Sequence, residues 1–189
     1  MGLRMYLARI PPARLEALRG SLDEWYRLDA DEGRMFDAEY EETGGYPVLG
    51  GTAELGHAEL QKSWDALHFL LDPARRTGDS DRKVSTPGGA AVVGWHPMPE
   101  FYLDHFDYLP RYSTAEEVRV IAESLNETDF DAVMDEHEDA LASSHTYSHG
   151  KGNPIDERTR EGLRRWFDVM RQFYTEAARQ EQAAFVTLS

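Results

Sequence analysis

A chain of 189 residues is long enough for one substantial core, and with 35 acids against 20 bases (formal net charge −15) it is ill suited to duplex nucleic acid, whose binding depends on cationic neutralisation of phosphates. Cysteine is absent, which removes disulfides, thiolate nucleophiles and Cys-containing zinc sites and fits a reducing cytosol. No apolar run reaches the length of a membrane span and the first ten residues lack the pattern of a signal peptide, so the expectation is a soluble, cytoplasmic single domain over 1–189 with no membrane partner.

Met5 to Ile10 is short, apolar and β-prone, and Pro11-Pro12 ends it. Leu15, Leu18, Leu22, Trp25 and Tyr26 then recur at helical spacing, with Gly20 as an interior weak point. From Leu28 to Gly56 the periodicity fails and acids dominate. With Gly44-Gly45 and Gly50-Gly51 around Tyr46-Pro47, that stretch reads as a long acidic loop. Leu60 to Leu71 is the most apolar stretch: Leu60, Trp64, Leu67, His68 and Leu71 share a helical face, Phe69 and Leu70 close the other side, and Asp72-Pro73 stops a central buried helix.

Arg75 to Gly89 is polar and reads as a surface excursion before Ala90 to Trp95, an apolar run of strand length. Phe101, Tyr102, Phe106, Tyr108 and Tyr112 form the densest aromatic cluster, interleaved with Asp104, His105 and Asp107. Ser113 to Glu116 reads as a capping box before a helix bearing Val118, Ile121, Ala122 and Leu125 and ending near Ser124. Thr128 is placed to cap the next helix, with Phe130, Val133, Met134, His137 and Leu141 on one side, and 142–152 is a loop by composition. Asn153-Pro154 opens the strongest amphipathic helix, whose stripe is Leu163, Trp166, Phe167, Met170, Phe173, Tyr174 and Ala177. Ala184 to Leu188 is a closing strand. The expected fold is α+β: one helix-dominated domain with a small sheet of about three or more short strands, built from the two terminal strands and the central one.

The segment Lys62-Ser-Trp-Asp-Ala-Leu-His-Phe-Leu-Leu71 resembles the hallmark of the YfbM-like bacterial family, domain of unknown function 1877. Met1-Gly2 before an apolar start, Arg111 to Val118, and Trp166 to Ala178 resemble further segments of it. The resemblance implies one compact α+β domain and carries no activity or catalytic residue with it. The chain departs from the family pattern in the acidic stretch before Leu55, in Arg75 to Gly89 and in the His-rich loop near Tyr147.

Trp64, His68, His105, Arg111 and Tyr112 are the candidate cleft or anchor residues. A half-buried His beside a carboxylate is how a general base is poised, but Asp65 points away from the His68 face, so its carboxylate partner is expected from elsewhere. The simpler reading makes His68 a structural histidine packed on Trp64 and on the aromatic segment ending at Tyr112. His137, His145 and His149 carry donors suited to a divalent metal, yet their spacing is that of a loop, and Leu141 stands where a zinc-protease helix needs its second His. Asp29 to Gly33 fails as a calcium loop, because Tyr40 replaces the bidentate Glu, and Gly88-Gly89 and Gly150-Lys151 read as turn glycines. No metal and no cofactor are expected. With every catalytic motif failing, the expected function is a non-catalytic binding or interaction protein, in one form an acidic inhibitor or immunity-type partner of a basic protein; the alternative is a small hydrolase or transferase using a cleft histidine with carboxylates.

Overall fold

The computed structural model describes residues 4–43, 49–52, 55–76, 84–146, 152 and 154–188. Strand β1 (Met5–Ile10) leads into helices α1 (Pro12–Gly20) and α2 (Leu22–Thr43). Strands β2 (Leu49–Gly51) and β3 (Gly56–Gln61) precede α3 (Trp64–Leu71), α4 (Pro73–Arg76) and α5 (Pro87–Val93). Then follow β4 (His96–Pro97), a 3-10 turn over Glu100–Asp104, β5 (Arg111–Ser113), α6 (Ala115–Glu127), α7 (Phe130–Ala142), α8 (Glu157–Arg179) and β6 (Ala183–Leu188).

The six strands form one antiparallel sheet in the order β2-β3-β1-β6-β5-β4. The two terminal strands lie side by side at its centre, with Leu7 opposite Val186 and Ala8 opposite Phe185. Because successive strand residues face opposite ways, β1 feeds two cores. Met5 and Leu7 join Ala184, Val186 and Leu188 under α3 and α5 to α8, while Ala8, Ile10 and Phe185 meet Leu15, Leu18 and Leu28 of α1 and α2. The result is an α+β domain with a helical layer on each face of the sheet, dominated by its eight helices among the described residues.

Several sequence expectations are corrected. Leu60 belongs to β3 and not to the central helix: Gln61 takes a left-handed backbone (φ 51°), Lys62-Ser63 turns, and the helix begins at Trp64. One apolar run thus serves two elements. The acidic loop from Leu28 is instead the continuation of α2, which starts anew after an extended Ser21 and is threaded by ion pairs, Arg27 with Glu24, Arg34 with Asp31, and Arg14 with both acids. Those pairs allow an acid-rich helix, with Leu28 inward to anchor it. The apparent calcium loop at Asp29–Gly33 lies within this helix, and Gly44 to Pro47 lie outside the described residues.

Ala90–Val93 is helix and not strand. Thr86 accepts a hydrogen bond from the Gly89 amide (3.0 Å), Pro87 sits in the first turn, and Gly94 closes the helix at φ 75°, so the caps decide what a four-residue apolar run leaves open. Gly94 also has no room for a side chain, since a Cβ there would stand 2.8 Å from that of Arg111. Consequently the expected surface excursion over Arg75–Gly89 holds helix at both ends, Gly88-Gly89 are helical, and the third strand of the predicted sheet is replaced by β2 to β5. Smaller shifts follow the caps: Thr114 with Glu117, and not Ser113 with Glu116, forms the capping box; α6 runs on to Glu127; Asp129 caps α7 in place of Thr128; and Asp156 starts α8 in place of Asn153-Pro154.

Candidate functional site

The polar residues of α3 and its C-terminal end form an enclosed cluster. Asp72 has no exposed surface, and its carboxylate accepts from the Ala74 amide (2.9 Å), the Ser85 amide (2.9 Å) and the Ser85 hydroxyl. Gly89 lies against it so closely that a Cβ would come within 2.0 Å of Oδ2, which explains a glycine in the first turn of α5. Asp72 therefore ties α3, α4 and the start of α5 together. Asp65, buried one turn before His68 on the same face of α3, takes the Arg75 guanidinium at 2.9 Å.

His68 is 2% exposed, and its Nε2 stands 3.9 Å from Asp72 Oδ2, beyond hydrogen-bonding distance and without another partner. Its nearest carboxylate thus comes from the end of its own helix at i+4, not from a distant segment as the sequence suggested. Burial pushes the ring down to about 4, Asp72 opposes that, and Arg75 adds to it, so the imidazole is neutral. A ring so enclosed presents neither nitrogen at the surface as a general base or acid would.

The five candidate residues do not form one cleft. Trp64 and Arg111 share a crevice of about 10 Å3 with Met5 and Val93, too small for more than one water. Arg111 spends its guanidinium on the carbonyls of Gly94 (3.1 Å) and Trp95 (2.8 Å), pinning the end of α5 to β5. Tyr112, next along β5, faces the other side of the sheet, under Arg19 (5.2 Å to the ring centroid) and beside His96, so it does not pack on His68 as expected. His105 lies on the surface beside α2. No local pattern points to the His96 Nε2 to Glu117 Oε1 contact at 2.6 Å, which joins β4 to the capping box across 21 residues. Among the described residues no three His, Asp or Glu side chains converge as a metal would require, and Asp135 and Glu138 both engage Arg160 of α8. His149, Gly150 and Lys151 lie outside the described residues.

On the α2 face, Glu32 lines a void of about 20 Å3 with His57, Tyr6 and Trp25. Burial, reinforced by Asp29, pushes its carboxyl up to about 7. A raised native pKa gives stability that is full below the ordinary value of 4.5 and is lost as pH rises through about 7. Glu32 keeps some contact with solvent, so Glu32→Gln should stabilise the protein by about 1 to 3 kcal/mol at about pH 8 and leave it unchanged at about pH 4. Urea unfolding at the two pH values checks this.

The aromatic cluster divides into an anchor and an exposed face. Tyr102 is fully buried and donates its hydroxyl to the Leu18 carbonyl at 2.8 Å, fixing the 3-10 turn to α1. That anchor turns the flanking side chains outward: Phe101 is 36% and Leu103 52% exposed, and Tyr26 of α2 is 54% exposed with its hydroxyl 3.2 Å from His105 Nδ1. Next to them along the chain are Glu100, Asp104 and Asp107, and Asp23 and Asp29 lie one turn either side of Tyr26, all exposed and none ion-paired among the described residues. An apolar centre with an anionic rim is the anatomy of a protein-binding patch.

A helix-dominated α+β domain with sealed internal polar groups and one acidic aromatic face is the class of protein that this geometry defines. The chain belongs to the family described as a domain of unknown function, DUF1877, which matches residues 1–187. Among solved structures, YfbM from Escherichia coli, described as a protein of unknown function, is similar over 98% of this chain and 99% of its own at 16% identity, with a TM-score of 0.62. At that identity the likeness concerns the fold. No protein with a curated description matches the chain.

Proposed function

We propose that this protein is a non-catalytic, cytoplasmic binding protein that takes a basic protein partner on the face formed by Tyr26, Phe101, Leu103 and His105, in the manner of an inhibitor or immunity-type protein. The observation that carries the reading is the set of exposed apolar side chains, Tyr26, Phe101 and Leu103, joined through the Tyr26–His105 contact and flanked along their elements by five unpaired carboxylates, those of Asp23, Asp29, Glu100, Asp104 and Asp107. Apolar contact would supply affinity and the rim would supply fast, salt-sensitive encounter, which the net charge of −15 extends to long range. The alternative of a small hydrolase or transferase finds less support, because His68 is enclosed.

A photo-cross-linking residue at Leu103 tests the reading in the source cells, with the same residue at exposed Val120 of α6 as the control. The expected result is a specific adduct with one basic protein at Leu103 only. Asp104→Lys with Asp107→Lys should weaken that association at least about tenfold, as reversal of rim charge predicts. Equal labelling at both positions, or an adduct indifferent to charge reversal, would contradict the proposal.

A further inference from the structure

On the α8 side of the sheet, a cleft of about 440 Å3 opens between the edge strand β2 and the C-terminal third of α8. That volume lies within the range of small-molecule sites, about 300 to 1,000 Å3. Its walls offer a cation and an anion, Arg9 and Glu176, with Gln172 and Thr175 as neutral polar groups and Phe173 and Leu49 as apolar surface.

Arg9 is out of the ordinary for a strand at the centre of a sheet. It alternates with Ala8 and Ile10 and so faces α8, and it is only 6% exposed. Its guanidinium donates to two neutral acceptors, Gln182 Oε1 (2.7 Å) and the Thr52 carbonyl (2.8 Å), and makes no ion pair among the described residues. Of the five N–H donors of an arginine, these bonds occupy two. A cation so nearly buried ordinarily has a carboxylate against it, because desolvation without a counter-charge is costly. The acid whose charge acts on it, Glu176, is held by others: Arg179 reaches its two oxygens at 2.9 and 2.7 Å, and Gln180 adds a bond at 3.0 Å. Those three bonds hold Glu176 ionised, down to about 2, and leave its Oε2 one acceptor site, while its charge reaches Arg9 through space without contact.

A simple anion would meet Arg9 but be repelled by Glu176, and a simple cation would meet the reverse. A molecule carrying both charges a few bonds apart satisfies both walls, and an aliphatic or aromatic group on it would lie along Phe173 and Leu49. We propose that this cleft binds a small zwitterion of the α-amino-acid class, with its carboxylate on the Arg9 guanidinium and its ammonium toward Glu176. The site is separate from the acidic aromatic face, and its test is independent of the function proposed for that face.

The experiment is an amide NMR titration of the full chain with each of the common amino acids at up to about 10 mM, a concentration that reveals millimolar affinity. For the tightest of them, the des-amino acid and the decarboxylated amine are titrated in parallel. Saturable shifts at Gly50, Gly51 and Thr175 are expected for the amino acid, with each single-charge analogue at least about tenfold weaker, since each forfeits one charged contact. Glu176→Gln should erase the preference for the amino acid over its des-amino analogue, and Arg9→Lys, which keeps the charge and loses the fork, should weaken both. Absence of saturable cleft shifts with every amino acid, equal binding of the single-charge analogues, or an unchanged preference in Glu176→Gln would overturn the proposal.

Discussion

Phe167→Ala will cost about 3 to 5 kcal/mol of stability, whereas Trp166→Ala will cost about 1 to 2, although both belong to the apolar stripe of the same helix. Phe167 is 1% exposed and stacks on Phe130 of α7 with ring centroids 4.7 Å apart, so its removal opens a cavity where α8, α7 and the sheet meet. Trp166 is one residue round the helix. It is partly exposed, it packs against the core from its margin, and the Arg165 guanidinium lies 5.5 Å from its ring on the outer side. The sequence pattern alone places both in the core, where Trp166→Ala would cost about 3 to 5 kcal/mol. The structure lowers that figure, because Leu163, Phe167, Met170, Tyr174 and Ala177 keep the inward line while Trp166 sits at its edge. Urea unfolding of the two variants checks the claim. Equal losses, or a loss under about 1 kcal/mol for Phe167→Ala, would contradict it.

What the sequence made legible was set by elements that carry their own signal. The stripe of α8, the terminal strands and the Asp72-Pro73 stop need only local periodicity and proline chemistry, and they stand where they were expected. The family resemblance was legible in 62–71, and it concerns the interior: Asp65, His68 and their neighbours hold α3 in place. Elements decided by long-range partners were misread. Helix α2 carries ion pairs over residues 24–34, two of them from Arg14 of α1, in a stretch that a composition reading scores as loop from Leu28 onward, and Leu60 belongs to β3 because Met5 to Arg9 offer that strand a ladder. For α5 the cap residues Thr86, Pro87 and Gly94 were present and outweigh the β-prone look of Ala90–Val93. Of the candidate site, the aromatic cluster with its acids was visible, but which rings face outward depends on Tyr102 reaching Leu18 across 84 residues. Arg9 gave no signal at all, since a single arginine in a strand says nothing of its counter-ions until the fold surrounds it.

The second large effect is a stability that depends on pH through His68. Burial lowers its native pKa from 6.5 to about 4, so its contribution is fully present above 6.5 and is lost as pH falls toward 4. A depression of that size corresponds to about 3 kcal/mol. Glu32 works in the opposite sense between 4.5 and about 7, so the two partly cancel in the native protein across the shared part of that window. His68→Leu should therefore unmask a stability that declines with rising pH, and Glu32→Gln one that increases with it, as denaturant unfolding across the window would record. The proposed binding role requires that His68 be a structural group and not an accessible acid or base. Titration of the His68 ring by NMR in the intact chain tests that claim most directly: a pKa near 4 is the result expected, and a pKa near the ordinary 6.5 or above, with the ring open to exchange, would make His68 an accessible acid or base and contradict the account.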